Sequence, residues 1–122
     1  MPSEKELSEV LEKLQVDASG FIAASVVDLD SGMTLASKSL RPEFDLTAAS
    51  AYNSELVKQK LKIMTTLGLT GMIEDMLITL SEQIHLIKMT SRTTFLYLAV
   101  DKSRSNLAIV RSAVSKHANS LV

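Results

Sequence analysis

The sequence predicts an α/β (α+β) fold in which helices cover both faces of a single five-stranded antiparallel sheet. Three strand-like runs in the second half of the chain are separated only by residues 81–83 and 91–92, as in an antiparallel meander. Two runs, 21–29 and 93–100, are apolar at odd and even positions alike, which is typical of strands buried on both faces. If these two strands are central neighbours, the strand order is 2-1-5-4-3 and the element order is α-β-β-α-β-β-β-α.

The first helix is predicted over residues 4–16. Ser3 and Glu6 have the spacing of a capping box, in which each side chain accepts a hydrogen bond from a free backbone N–H of the other residue. Leucine and valine residues follow at helical spacing, so one face of this helix should be buried. Gly20 ends the segment ahead of the first strand.

The strands at 21–29 and 33–37 form a predicted hairpin. The tripeptide Asp-Ser-Gly at 30–32 separates them; Asp and Ser bond to nearby backbone in turns, and Gly supplies a positive φ. Asp28 adds a second carboxylate, but the ligand spacing of a calcium loop is incomplete. We therefore interpret this polar stretch as a turn and not as a metal site.

A long second helix is predicted from a cap at Asp45 or Thr47 to about Leu67, with Gly68 as its stop signal. At ~100° per residue its apolar side chains fill an arc of about 180°, although packing on one sheet face needs only ~100°. The surplus indicates a second contact, and we interpret it as helix pairing.

Asn53 and Lys60 fall inside the apolar arc of the long helix, seven residues apart. Isolated polar residues at heptad spacing fix the register of paired helices. The alternative is that Lys60 extends along the apolar surface to reach water and that Asn53 lies at a rim.

The last three strands are predicted at 72–80, 84–90 and 93–100, and the first of them lies at an edge of the sheet. An unprotected edge with an apolar face favours pairing with another chain. A final helix begins near Ser105. Its predicted apolar stripe consists of Leu107, Val110, Val114, His117 and Leu121.

Composition excludes several classes of function. The 122-residue sequence is expected to form one domain, 1–122, and contains no cysteine, which removes disulfides, zinc–thiolate sites and a cysteine nucleophile. A net charge of -1 gives no attraction for nucleic acid. No apolar run approaches the ~20 residues of a membrane span, and the polar start lacks a signal-peptide core. We expect a cytoplasmic protein without membrane insertion.

The candidate catalytic and ligand residues do not form a set. His85 and His117 are isolated from other metal ligands, and no nucleophile accompanies either as a catalytic base would require. The glycines at 68 and 71 follow a helix and precede a strand, the reverse of a phosphate-binding loop. The sequence therefore predicts no catalytic residues, no cofactor and no metal, and the protein is not expected to be an enzyme.

Two segments resemble the roadblock/dynein light chain superfamily, and within it the bacterial single-domain, MglB-like members. The segments are "GFIAASVVDLDSGMTLAS" near the start and "LYLAVDKSRSNLAIVRSAV" near the end. The second is similar to the family's strand, a loop containing Asp101 and Lys102, and a helix that opens with Asn106 and Leu107. The resemblance covers nearly the whole chain.

The resemblance implies a homodimer with a continuous sheet and paired long helices. It also implies binding and regulation of small Ras-like GTPases, in some members as a GTPase-activating protein that supplies no arginine finger. No motif marks any arginine here as a finger. The leading hypothesis is a non-catalytic homodimeric regulator of such a GTPase; the alternative is a scaffold that tethers other proteins without contacting a GTPase. The residues assigned to the dimer and partner interface are Ala49, Tyr52, Asn53, Leu56, Lys60 and Ile63.

Overall fold

The structure, a computed structural model, describes residues 2–121. Its elements are α1 (Glu4–Asp17), β1 (Phe21–Asp28), β2 (Thr34–Ser39), α2 (Leu46–Thr66), β3 (Asp75–Thr79), β4 (Gln83–Met89), β5 (Thr94–Asp101), a 3₁₀ turn (Lys102–Arg104) and α3 (Leu107–Asn119). The five strands form one antiparallel sheet in the order β2-β1-β5-β4-β3, which confirms the predicted topology. Within residues 2–121, none of the helices combines the length and the apolar character that crossing a membrane requires.

The central strands β1 and β5 are buried along almost their whole length, because both of their faces are covered. The helices α1 and α3 lie on one face of the sheet, and α2 lies on the other. Each face therefore has its own apolar core. The core under α2 includes Ile22, Val27, Val57, Ile87, Phe95 and Tyr97.

The helix ends follow from their caps. The Ser3–Glu6 capping box is present and fixes the start of α1. Asp45 is the N-cap of α2, where its carboxylate accepts a hydrogen bond from the backbone N–H of Ala48 at 3.0 Å. Gly68 follows the helix with a φ of 70°, a left-handed conformation that favours glycine.

Two predicted details are wrong. The strand β3 spans five residues and not 72–80, because Gly71 takes a φ of 102° and the chain joins the sheet only at Asp75. The predicted apolar stripe of α3 includes Leu107, but this residue is 40 % exposed and does not pack with the others, because it lies in the first turn of a helix that begins only after Asn106. The other four stripe residues are buried, and Ala113 and Ala118 complete the apolar face.

Candidate dimer and partner interface

The helix α2 carries two stripes of side chains, and only one of them is buried within the chain. The sheet-facing stripe consists of the buried residues Leu46, Ser50, Ser54 and Val57. Roughly one-third of a turn around the helix lies a second stripe, formed by Ala49, Tyr52, Leu56, Lys60, Ile63 and Leu67. In this exposed stripe Tyr52 is 76 % exposed, Leu56 and Ile63 are each 38 % exposed, and Leu67 is 66 % exposed.

The contacts of α2 show which way the exposed stripe faces. On one flank of the helix, the Lys58 Nζ atom donates to the carbonyl of Asp30 at 2.8 Å, so this flank lies against the β1–β2 turn. On the other flank, the Asn53 amide faces the Tyr97 hydroxyl on β5. The exposed stripe lies on the Asn53 flank, and therefore overlooks β4 and β3.

The sheet beneath the exposed stripe is only partly covered. Helix α2 packs on β1 and β2. Further along the same face, four side chains of β3 and β4 are left half-buried: Met76, Ile78, His85 and Met89. These four residues and the exposed stripe together form a surface that we call the open corner. Its two apolar walls, one helix and one sheet, match the shape of a site for another helix.

A chain of polar groups crosses the floor of the open corner. The Tyr97 hydroxyl lies 3.3 Å from His85 Nδ1, and His85 Nε2 lies 2.7 Å from Gln83 Oε1. The Phe44 ring meets the His85 imidazole edge-on, with centroids 6.3 Å apart. Burial raises the pKa of Tyr97 to about 12, while the contact with Asn53 opposes that rise. Burial lowers the pKa of His85.

The structure places the six sequence-assigned interface residues on α2 in two groups. Tyr52, Leu56, Lys60 and Ile63 are exposed along the stripe, and Ala49 lies at its start, half-buried and packed against the core under α2. Asn53 is half-buried and turns towards the sheet, where it faces Tyr97.

Sequence reasoning missed the sheet wall of the open corner. The signal was the position of His85, Ile87 and Met89 at alternate places along a predicted strand, which puts their side chains on one face. The sequence did not reveal that α2 would leave this part of the face uncovered.

The polar turn after β1 is a turn, as predicted. Asp28 Oδ2 accepts hydrogen bonds from the Ser31 backbone N–H at 3.0 Å and from the Ser31 hydroxyl at 2.6 Å. The Ser31 hydroxyl in turn accepts a bond from the Met33 N–H at 3.2 Å. Among residues 2–121, no three histidine, aspartate or glutamate side chains come together as a set of metal ligands.

A second polar cluster lies at the end of the sheet, around Asp101. Its Oδ1 atom accepts hydrogen bonds from the backbone and hydroxyl of Ser103, and its Oδ2 atom pairs with Arg41 Nη2 at 3.2 Å. The hydrogen bond from Ser103 is the main reason why the pKa of Asp101 lies below its usual value. The Arg41 guanidinium lowers this pKa further by a smaller amount. These contacts fix the loop before α3 and explain why Asp and Ser occur there.

By sequence, no family model and no curated protein matches the chain. By structure, it is similar to MglB of Myxococcus xanthus, with a TM-score of 0.87 and 16 % identity over 100 % of this chain and 94 % of that one. It is similar to the gliding protein MglB of Thermus thermophilus, with a TM-score of 0.84 and 17 % identity over 97 % and 87 % of the two chains. A Roadblock/LC7 domain of Streptomyces avermitilis gives a TM-score of 0.83 and 15 % identity over 94 % and 93 %. The chain has the roadblock/LC7, MglB-like fold, which confirms the resemblance drawn from the sequence.

Proposed function

We propose that this chain forms a homodimer through the open corner and regulates a small Ras-like GTPase in the cytoplasm without chemistry of its own. The single observation that carries the proposal is the exposed stripe of α2, in which Tyr52, Leu56, Ile63 and Leu67 leave apolar surface uncovered on either side of Lys60. Soluble monomers rarely carry such a surface. The MglB-like fold supports a regulatory function of the kind that the sequence resemblance implies.

A two-fold dimer would use both walls of the open corner. The axis brings the same patch of each subunit together, so Leu56 and its neighbours are buried twice. Beside this patch, the outer edge of β3 has unpaired backbone groups and contains no lysine, proline or bulge that would discourage pairing. Pairing of two β3 edges across the axis would join the sheets of both subunits into one.

The regulation would act by selecting a conformation of the GTPase. A dimer surface that binds one arrangement of the GTPase switch segments better than another shifts the population towards it. Two of the four arginines are engaged within the chain: Arg41 pairs with Asp101 at 3.2 Å, and Arg111 pairs with Asp75 at 2.8 Å. These two ion pairs do not involve Arg92 or Arg104, so the proposal that the GTPase's own catalytic groups are positioned, with no arginine inserted from this chain, rests on the sequence resemblance.

The alternative is a scaffold that tethers other proteins and never contacts a GTPase. Affinity capture from the native cell, followed by mass spectrometry, separates the two functions. The proposed function predicts that a small Ras-like GTPase is recovered with the wild-type protein. Recovery should fall with Leu56→Asp, a variant expected to break the dimer. Recovery of partners without any GTPase would favour the scaffold.

We expect Leu56→Asp to destroy the dimer while leaving the monomer folded. The substitution would place an unpaired carboxylate in the seam, which costs several kcal/mol, and the two-fold axis presents it twice. The matched control is Lys62→Asp, because Lys62 is exposed on the same helix but outside the exposed stripe. Sedimentation velocity measures the oligomeric state and circular dichroism the fold. A Leu56→Asp variant that remains a folded dimer at micromolar concentration would place the seam elsewhere.

A further inference from the structure

His85 is half-buried, and its surroundings favour the neutral imidazole over the charged one. His85 Nε2 lies 2.7 Å from Gln83 Oε1, and an imidazole that carries its proton on Nε2 donates a hydrogen bond to this oxygen. His85 Nδ1 is then the acceptor for the Tyr97 hydroxyl at 3.3 Å. Both ring nitrogens therefore have a partner in the neutral imidazole, and protonation of Nδ1 would require the Tyr97 hydroxyl to turn and accept a hydrogen bond instead of donating one.

No charged group faces His85 to compensate a positive charge. The neighbours are Gln83 on β4, Tyr97 on β5, Asn53 on α2 behind Tyr97, Ile78 paired with it on β3, and Phe44 ahead of α2. Of these, only Tyr97 titrates, and with a pKa of about 12 it stays neutral. Burial alone accounts for the lowered pKa of His85, without a contribution from any charge.

Because of its position, the protonation state of His85 should affect formation of the dimer. It lies half-buried on the floor of the open corner, next to the surface where a second copy would pack. A second copy seated there would remove the remaining water from the imidazole. Because removal of water disfavours the charged form, protonation of His85 must cost more in the dimer than in the monomer.

We propose that self-association of this chain is pH-sensitive through His85, with the neutral imidazole favouring the dimer and the protonated imidazole favouring the monomer. The inference rests on the proposed function, since it requires a dimer that buries the open corner. In this proposal the binding partner is a second copy of the chain, and the pH regulates how tightly it binds. The dissociation constant should rise as the pH falls through the pKa of His85 in the monomer.

Sedimentation equilibrium of the wild-type protein at about pH 7.5 and about pH 5 tests the proposal, because burial lowers the pKa of His85 and the lower pH must reach below the usual range of histidine titration. Each dimer contains two copies of His85, so a pKa lower by about one unit in the dimer changes the dissociation constant by up to roughly 100-fold. We expect a rise of at least roughly threefold at the lower pH, the change for a one-unit difference when that pH equals the pKa of His85 in the monomer. His85→Gln should dimerise with nearly the same constant at both pH values.

His117→Gln is the matched control, because His117 is the only other histidine and lies on the opposite face of the sheet. This variant should keep the pH dependence of the wild type. If the wild-type dimer has the same dissociation constant at both pH values, the role of His85 is refuted but the proposed dimer is not. A wild-type chain that is monomeric at every pH and concentration would refute the dimer as well.

An NMR titration of the wild-type protein covers the case in which His85→Gln does not fold. The imidazole signals of the two histidines are followed with pH at a low and at a high protein concentration. The proposal predicts a lower pKa for His85 at the high concentration, where the dimer dominates. Identical pKa values in monomer and dimer would overturn it.

Discussion

At the scale of single residues, the β1–β2 turn depends on Asp28 more than on the aspartate at its tip. The Asp28 carboxylate receives both hydrogen bonds from Ser31, whereas Asp30 contributes its backbone carbonyl to Lys58. The turn therefore depends on the side chain of Asp28 but not on the side chain of Asp30.

We predict that Asp28→Asn lowers the free energy of unfolding more than Asp30→Asn, which should change it by about 1 kcal/mol or less. The hydrogen bonds from Ser31 hold the pKa of Asp28 below its usual value of 3.8. Its stabilisation is therefore present above that value and is lost as the pH falls through the folded-state pKa. Urea denaturation near neutral pH and in acid should show the gap between wild type and Asp28→Asn closing in acid. Equal losses for the two variants would contradict this.

The sequence could predict residue-level features whose partners are close in the chain. The capping box and the polar turn are examples, because their donors and acceptors lie within three residues of each other. The Tyr97–His85 contact joins two strands, and the His117–Asp17 pair at 2.6 Å joins the two terminal helices. Such pairs depend on the register and packing of whole elements, which the sequence did not specify.

At the scale of elements, α2 shows both the strength and the limit of its pattern. The wide apolar arc predicted more apolar surface than one sheet face buries, and the structure buries only the stripe around Val57 and leaves the other side of the arc exposed. The direction of the second stripe was hidden, since it depends on where Lys58 and Asn53 anchor the helix over the sheet. The length of β3 was overestimated for a related reason: the apolar run at 72–80 is longer than the part that pairs with β4.

We predict that the two stripes of α2 separate folding from assembly. Val57 is fully buried, so Val57→Ala should lower the free energy of unfolding of the monomer by about 2 kcal/mol through lost packing. Leu56 belongs to the exposed stripe, so Leu56→Ala should cost the monomer less than about 1 kcal/mol but should raise the dissociation constant of the dimer. Urea denaturation of dilute protein and sedimentation equilibrium measure the two quantities. If Leu56→Ala damages folding as much as Val57→Ala, the stripes are not separate.

At the scale of the whole molecule, the topology was predictable because the two strands apolar on both faces had to be central. Once β1 and β5 are neighbours, short connections place β2 on one side and β4 and β3 on the other. The proposed assembly was visible in the sequence only as a surplus of apolar surface. In the proposed dimer a second chain completes the open corner, and the sequence of one chain does not give the geometry of that contact.

The proposed complex of a dimer with a GTPase leads to a prediction about Lys60. This exposed lysine lies in the exposed stripe between Leu56 and Ile63, where its long side chain can cross the seam and reach water at the rim. We expect Lys60→Ala to leave the dimer nearly unchanged and to weaken GTPase binding by roughly twofold to tenfold, because rim charges act mainly on association and at long range.

Binding of the recovered GTPase, measured by titration at low and at high salt, checks the prediction for Lys60. The wild-type affinity should fall with salt, and the affinity of Lys60→Ala should fall less, since screening removes an attraction that the variant already lacks. Lys62→Ala is the matched control, because it removes the same charge from the same helix outside the exposed stripe. If both lysine variants bind the GTPase equally well, the paired α2 helices do not form the GTPase-binding surface, and the dimer must present another face to its partner.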